Sequence, residues 1–320
     1  NRACGRPASL PSSSHRNERF EEMENNMTDT IDTSKRALLT AGAATAAALA
    51  ASTVSANSLN PESARTAVNP EGRFAGKAIA ITGGNSGIGA ATVRAFAMEG
   101  GQVVFGARRD QLGRQVEAEI RAAGGDVTWV QTDVRNPAQV ERFLNAATET
   151  YGRLDVLFNN AGIFMTPANM EDIDLENFDD IIRTNVHGVF YGMKYAIPIM
   201  KAQGNGVIIN MASVAAHRGF PNIAHYNASK HAVIGLTRAG AQLAKSNIRV
   251  TSISPAAVDT PMLEESFAFQ GLTYEGVAPN LVTPRIMEAH EMAQSVLFLA
   301  SDAATAFNGM DFDATGGQLA

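Results

Sequence analysis

From about residue 75 onward, short apolar runs alternate with longer amphipathic stretches. The runs at 78–82, 102–106, 127–131, 156–158, 206–211, 249–254 and 310–313 predict strands. Near-continuous apolar runs of roughly four to eight residues are what strands covered on both faces require. The stretches at 87–99, 111–123, 138–151, 179–201 and 224–244 predict helices between them. This alternation predicts an α/β chain: a doubly wound, seven-stranded, mostly parallel sheet with helices on both faces. No internal repeat or low-complexity segment interrupts residues 75–320, so they read as a single domain.

Upstream of 75 the pattern differs. Residues 1–26 are polar and begin with Asn1. They read as disordered, or as an extension foreign to the natural protein, with Met27 or Met23 as its start. Residues 27–56 read as an export signal. A polar stretch ends in Lys35-Arg36, an Ala-rich run from Ala37 to Ala51 follows, and Val54-Ser55-Ala56 supplies small residues for cleavage. Ser34-Lys35-Arg36-Ala37-Leu38-Leu39 resembles the twin-arginine motif, with Lys in place of the first Arg. A plain Ala-rich tail is the alternative. The signal reading places the mature protein in the periplasm, and the alternative in the cytoplasm. The run is too weakly apolar for a membrane span, which needs about 20 strongly apolar residues. Residues 57–74, polar with two prolines, read as a linker.

Composition narrows the function classes. The 320 residues are 45% hydrophobic and 18% charged, which suits a folded globular chain. The net charge is -6, and its whole acidic excess lies in 75–320, with 18 basic and 24 acidic side chains there. An acidic domain without a basic stripe argues against nucleic acid as a partner. The only cysteine is Cys4, which excludes an internal disulfide and a cysteine nucleophile in the main body.

The first predicted strand runs into Gly83-Gly84-Asn85-Ser86-Gly87-Ile88-Gly89, and a helical pattern starts at once. A glycine-rich turn in that place brings backbone N–H groups and the positive end of a helix dipole to a pyrophosphate. The spacing is G-x-x-x-G-x-G, so Gly83, Asn85, Ser86, Gly87, Ile88 and Gly89 form a candidate dinucleotide cradle. The second strand ends Phe105-Gly106-Ala107-Arg108-Arg109. Where NAD-binding sheets place an acid for the ribose 2′-OH there is Ala107, followed by two arginines. Guanidinium forks suit a 2′-phosphate. The preferred cofactor is therefore NADP(H), through Arg108 and Arg109, with NAD(H) as the alternative.

Tyr226 and Lys230 stand four apart in a helical run, so both can point into one cleft. A free phenol, with a pKa of about 10, needs help to carry a proton at neutral pH. A nearby cation lowers that value. Ser213 and the run Asn159-Asn160-Ala161-Gly162 each follow a predicted strand. They therefore reach the carboxyl edge of the sheet, where ligands bind in open parallel sheets.

In order and spacing, Thr82-Gly83-x-x-x-Gly87-Ile88-Gly89, Asn159-Asn160-Ala161-Gly162, Asn185, Ser213 and Tyr226-x-x-x-Lys230 resemble the short-chain dehydrogenase/reductase family over about 75–320. The resemblance implies a Rossmann-type domain and a secondary alcohol or ketone as substrate. It implies Tyr226 as general acid/base, Lys230 as the group that lowers the Tyr226 pKa and binds the nicotinamide ribose, and Ser213 as the polariser of the substrate oxygen. It implies that Asn185 holds a water linking Lys230 to solvent. Asp133 would bond the adenine edge, with Val134 beside it. Asn160, Ala161 and Gly162 would flank the cofactor, and Pro255, Val258 and Thr260 would contact the nicotinamide. The family usually has Pro-Gly after the sixth strand, where this chain has Pro255-Ala256. Either that turn does not need φ > 0, or the nicotinamide contact is altered. The resemblance also implies a homodimer or homotetramer built on the helices at 179–201 and 224–244.

Other features carry less. Six histidines show no zinc-helix spacing. His225 is expected to face away from Tyr226. His217 is a candidate for the substrate pocket, with a surface loop as the alternative. The acidic run 171–180 lacks the glycine and spacing of a calcium loop and reads as a helix start. The segment 262–284, with Met262, Leu263, Phe267, Phe269, Leu272 and Tyr274, reads as a lid over a substrate with hydrophobic surface. Ile163, Phe164 and Met165 would add to the same wall. Two readings outside the preferred one stay open: an NAD-dependent alcohol or sugar dehydrogenase, and a cofactor-binding protein with little turnover.

Overall fold

A computed structural model of the chain describes residues 68–320. The export-signal reading of 27–56, and the reading of 1–26, lie outside the described residues. Seven parallel strands form one sheet in the order β3-β2-β1-β4-β5-β6-β9. They are β1 (Ala78–Thr82), β2 (Gln102–Ala107), β3 (Val127–Gln131), β4 (Val156–Asn159), β5 (Gly206–Met211), β6 (Ile248–Pro255) and β9 (Asp311–Ala314). Each strand foreseen from the apolar runs is present, and every pairing in the sheet is parallel. A second, two-stranded sheet pairs β7 (Val258–Asp259) with β8 (Met287–Glu288). Two-residue strands leave no periodicity to read, so the sequence did not announce them.

The central strands are apolar because both faces are covered. Ile79 and Ile81 turn to one face, where they pack with Val93 and Phe96 of α1 (Gly87–Met98) and with Val296 and Leu297 of α9 (Ala289–Ala300). Ala80 turns to the other, where the core holds Phe143 and Leu144 of α3 (Pro137–Tyr151) and Met193 of α5 (Gly188–Gln203). The alternation follows from the period of two along a strand. Between β2 and β3 runs α2 (Asp110–Ala122). The folded body starts earlier than the boundary read from sequence: Phe74 is buried, and the Asn69 and Phe74 N–H groups donate to Met98 and Glu99 carbonyls. The last residues of the expected linker are thus part of the domain.

Two expected helices are interrupted. The first consists of α4 (Leu175–Ile181), a π-turn over Ile182–His187, and then α5. A π-turn inserts one residue into the helical repeat, and a 3.6-residue pattern cannot register it. The second, α6 (Ala224–Gly240), continues only as a 3₁₀ turn over Ala241–Ser246. Asp174 caps α4 by accepting the Glu176 N–H, so the acidic run is a helix start as read. Strand order reverses between β1 and β4, which opens a crevice at their carboxyl ends.

Candidate active site

The crevice holds a cavity of about 660 Å³. One wall is the turn from β1 into α1. Gly83 and Gly87 have φ of +70° and +51°, a region that disfavours side chains. A Cβ on Gly89 would stand 2.2 Å from the Gly83 carbonyl oxygen, so the turn closes only around glycine. Ser86, at the N-cap of α1, gives no side-chain hydrogen bond to the first turn. Its Oγ instead accepts from Arg109 Nη2 at 2.7 Å. The leading N–H groups of α1 therefore face the cavity without a side-chain acceptor. Such donors at a helix N-terminus fit the pyrophosphate of a dinucleotide.

The run after β4 is tied to this turn. Thr82 Oγ1 accepts the N–H groups of Asn160 and Ala161 at 3.1 and 3.0 Å. Asn160 Nδ2 donates to the carbonyls of Thr82 and Gly83. Sequence reasoning quoted Thr82 in its motif without assigning it this clamp. Asn159 is structural: it is buried and donates to Asn210, which donates to Thr237.

Arg108 and Arg109 stand at the cavity wall beyond β2, both exposed. Arg109 is anchored at Ser86, and its carbonyl accepts from Asn85 Nδ2 at 3.1 Å. The structure places Asp133 differently from expectation. It is absent from the cavity wall, whereas Val134 and Thr132 line it. Arg135 takes both Asp133 carboxylate oxygens and reaches Asp180 as well. Burial is the largest single influence on Asp133 and raises its pKa, but the Arg135 side-chain and backbone bonds and the charges of Arg135 and Arg108 together hold it below the ordinary carboxylate value. Its carboxylate is thus already paired with its own neighbour, Arg135.

At the far end stand Ser213, Tyr226 and Lys230. Ser213 follows β5, accepts the Ala215 N–H at 3.2 Å and shares the cavity wall with Tyr226. Lys230, nearly wholly buried, donates from Nζ to the Met211 carbonyl at 3.0 Å. Nζ lies 5.5 Å from the centre of the Tyr226 ring. Desolvation pushes the Tyr226 phenol up to about 12, against a smaller downward pull from the Ser213 hydroxyl. Desolvation also pulls Lys230 down to about 8. The expected lowering of the Tyr226 pKa by Lys230 is not seen in the protein alone, where burial is the dominant cause.

Asn185 sits in the π-turn and is buried behind the wall, off the cavity itself. Its side chain accepts the Ile163 N–H at 2.8 Å and donates to the Ile163 carbonyl and to Ser229 Oγ. Both amide hydrogens are used within the protein, so its side-chain amide has no proton left to give to a water.

Pro255, Val258 and Thr260 line the cavity as expected, and so do Gly162, Ile163, Phe164 and Met165. Ala256 is not among the residues of positive φ, so the departure from Pro-Gly costs no backbone strain. Thr260 caps α7 (Pro261–Gln270) by accepting the Leu263 N–H. Of the expected lid, Met262 and Leu263 reach the cavity, joined by Glu265 and Ser266. Phe267 packs instead against Tyr274 of α8 (Tyr274–Val277), with ring centres 5.5 Å apart, and Tyr274 bonds Asp259. Phe269 and Leu272 are exposed. Phe220 and Ile223 complete the apolar wall, and no motif marked them. His217 lies off the cavity: it pairs with Asp311 at 2.8 Å, on the edge strand β9. His225 is buried away from the cavity, as a residue one step from Tyr226 on a helix must be.

A family model described as Enoyl-(Acyl carrier protein) reductase matches residues 83–318. The chain is a short-chain dehydrogenase/reductase. It is 36% identical to levodione reductase of Leifsonia aquatica, over 79% of this chain and 97% of that one. It is 38% identical to a 2,5-dichloro-2,5-cyclohexadiene-1,4-diol dehydrogenase of Sphingobium indicum (76% and 97%). It is 34% identical to cyclohexanol dehydrogenase of an Acinetobacter species (75% and 94%). Among solved structures, levodione reductase superposes with a TM-score of 0.75 at 35% identity, covering 77% of this chain and 98% of that one. A 3-ketoacyl-(acyl-carrier-protein) reductase from Brucella melitensis, complexed with NADH, gives 0.70 at 34% (76% and 98%). ElxO with NADP bound gives 0.71 at 28% (76% and 98%). This short-chain dehydrogenase/reductase is an NAD(P)-dependent oxidoreductase that interconverts secondary alcohols and ketones. Among the described residues no helix is long and apolar enough to cross a membrane.

Proposed function

We propose that this enzyme uses NADP(H) to interconvert a secondary alcohol and a ketone on a six-membered carbocycle, with Tyr226 as general acid/base. The observation that carries the acid/base assignment is that Ser213, Tyr226 and Lys230 line one cavity, with Lys230 Nζ 5.5 Å from the centre of the Tyr226 ring. Two hydroxyls on one cavity wall can both donate to a single substrate oxygen. In reduction Tyr226 gives that oxygen its proton; in oxidation it takes the proton back. Ser213 holds the oxygen in line, and the Lys230 ammonium supplies positive charge behind the phenol. The nicotinamide supplies or accepts the hydride when bound. Around this point the wall is apolar, with Phe164, Phe220, Ile223, Met262 and Leu263. It excludes water from the reacting atoms and fits a compact hydrocarbon ring. Two relatives are named for a cyclohexadienediol and for cyclohexanol, which supports the same reading.

The cofactor preference rests on Ala107 in the place of an acid and on Arg108 and Arg109 at the cavity wall. Paired fluorescence titration with NADPH and NADH, followed by a panel of cyclohexanols, cyclohexanones and open-chain analogues, tests both parts. Tighter NADPH binding and a higher kcat/KM on the ring compounds are expected. Equal binding of the two cofactors removes the arginine assignment, and a preference for open-chain substrates removes the ring. A complete lack of turnover over the panel points instead to a cofactor-binding protein.

We also propose a homodimer or homotetramer. Leu175, Phe178 and Phe190 on α4 and α5 leave a large apolar surface in solvent. Sedimentation equilibrium measures the assembly directly. Export through the segment at 27–56 belongs with these proposals, and cell fractionation decides it.

A further inference from the structure

The mechanism above uses Ser213, Tyr226 and Lys230 and leaves the fully buried hydroxyl beside them without a role. That hydroxyl belongs to Ser229. Its Oγ donates to the Tyr226 carbonyl at 2.8 Å and accepts from Asn185 Nδ2 at 3.1 Å. The second Asn185 proton goes to the Ile163 carbonyl at 3.0 Å, and Asn185 Oδ1 takes the Ile163 N–H at 2.8 Å. Three separate elements therefore meet at one amide: the run after β4, the π-turn and the catalytic helix α6. The residue after Ile163 is Phe164, whose ring stands edge-on to Tyr226 with centroids 5.2 Å apart.

We propose that Ser229 is a positioning residue for the reaction: its hydroxyl joins the Asn185 amide to α6 and so sets where Tyr226 stands between Phe164 and Ser213. The inference rests on the Tyr226 reading above. The physical reason is directional. Apolar packing sets the distance of α6 from the π-turn but resists rotation about the helix axis weakly. A buried bond from Ser229 to Asn185, with Asn185 held twice to Ile163, resists that rotation. The phenol is attached one turn away on the same helix, so a small rotation displaces its hydroxyl relative to Phe164 and to Ser213 on the shared cavity wall. Misplacement of about 1 Å is enough to cost on the order of 100-fold in rate.

Three substitutions separate a positioning bond from mere packing. Ser229→Ala removes the hydroxyl and leaves a buried Asn185 N–H without an acceptor. Ser229→Cys restores the volume with a far weaker hydrogen bond, and Ser229→Thr keeps the hydroxyl. Hydride transfer is followed by nicotinamide absorbance with a ring ketone, across pH, beside cofactor affinity and melting temperature. We expect kcat to fall by about tenfold or more in Ser229→Ala and Ser229→Cys. The pH profile should move in both, cofactor affinity should stay near wild type, and Ser229→Thr should recover most of the rate. Wild-type kcat and an unmoved pH profile in Ser229→Ala overturn the proposal. So does wild-type kcat in Ser229→Cys beside a slow Ser229→Ala, since volume alone then suffices. Tyr226→Phe is run alongside. If Tyr226→Phe retains turnover, the acid/base reading itself fails; if Tyr226→Phe is inactive and Ser229→Ala is normal, only the positioning role fails.

Discussion

Lys230 donates its ammonium to the Met211 carbonyl at 3.0 Å, from a position 5.5 Å behind the Tyr226 ring. One of its three protons is thereby committed to the end of β5, and the cation is held at the phenol rather than left to swing. Its burial carries a cost that shows in its acid–base behaviour and leads to the first two predictions.

Ketone reduction should lose rate on the basic side with a midpoint near 8, where Lys230 gives up its proton. Tyr226, pushed up to about 12, stays protonated through that range and remains able to donate. Loss of the ammonium removes the charge that steadies the reacting oxygen. A rate profile of kcat for reduction between about pH 6 and about pH 10 measures this. A flat profile across that range sinks the assignment of the charge to Lys230.

The same burial should lower stability. Folding disfavours the charged form of Lys230, because its value falls from the ordinary 10.5 to about 8. The penalty is fully present below 8 and fades as pH rises towards 10.5, so stability from this group increases with pH across that window. Lys230→Met should raise the melting temperature at neutral pH while abolishing turnover, and should flatten the rise of stability above pH 8. Thermal unfolding at several pH values checks it. A lower melting temperature at neutral pH shows that the Met211 bond outweighs desolvation.

Tyr226→Phe removes one oxygen and keeps the ring against Phe164. Turnover should drop by about 100- to 10,000-fold, the usual contribution of a general acid. Cofactor affinity should change little, since the glycine turn and the run after β4 are untouched. Steady-state kinetics with a parallel fluorescence titration measures both.

Replacing Arg108 and Arg109 together with Ala should weaken NADPH binding by about 10- to 100-fold, in line with charge-assisted hydrogen bonds of about 1.5–3 kcal/mol. NADH binding should move by less than about threefold, apart from any loosening of Ser86 when its Arg109 bond is lost. Equal losses for both cofactors show that the pair supports the turn rather than reading a 2′-phosphate.

Much of this molecule was legible in one dimension. The seven main strands are local apolar runs, and a parallel sheet covered on both faces writes itself as such runs. The glycine turn was legible because only glycine tolerates the φ of Gly83 and the close approach at Gly89. Tyr226 and Lys230 share a helix face, so their spacing alone placed them together.

What tertiary structure decided was which neighbours each group meets. Asp133 is a bare acid in the sequence, yet Arg135, two residues on, folds back and pairs with it. His217 looked close to Ser213 in sequence, yet the edge strand brings Asp311 to it from 94 residues away. The π-turn that buries Asn185 inserts one residue into a helical repeat, a defect that periodicity smooths over. The partners of Thr82 and Ser229 come from the run after β4 and from the π-turn. The pKa values of Tyr226 and Lys230 likewise depend on how much water packing leaves around them. Sequence carries residue chemistry and local period; the field, the burial and the long-range hydrogen bonds exist only once the strands are side by side.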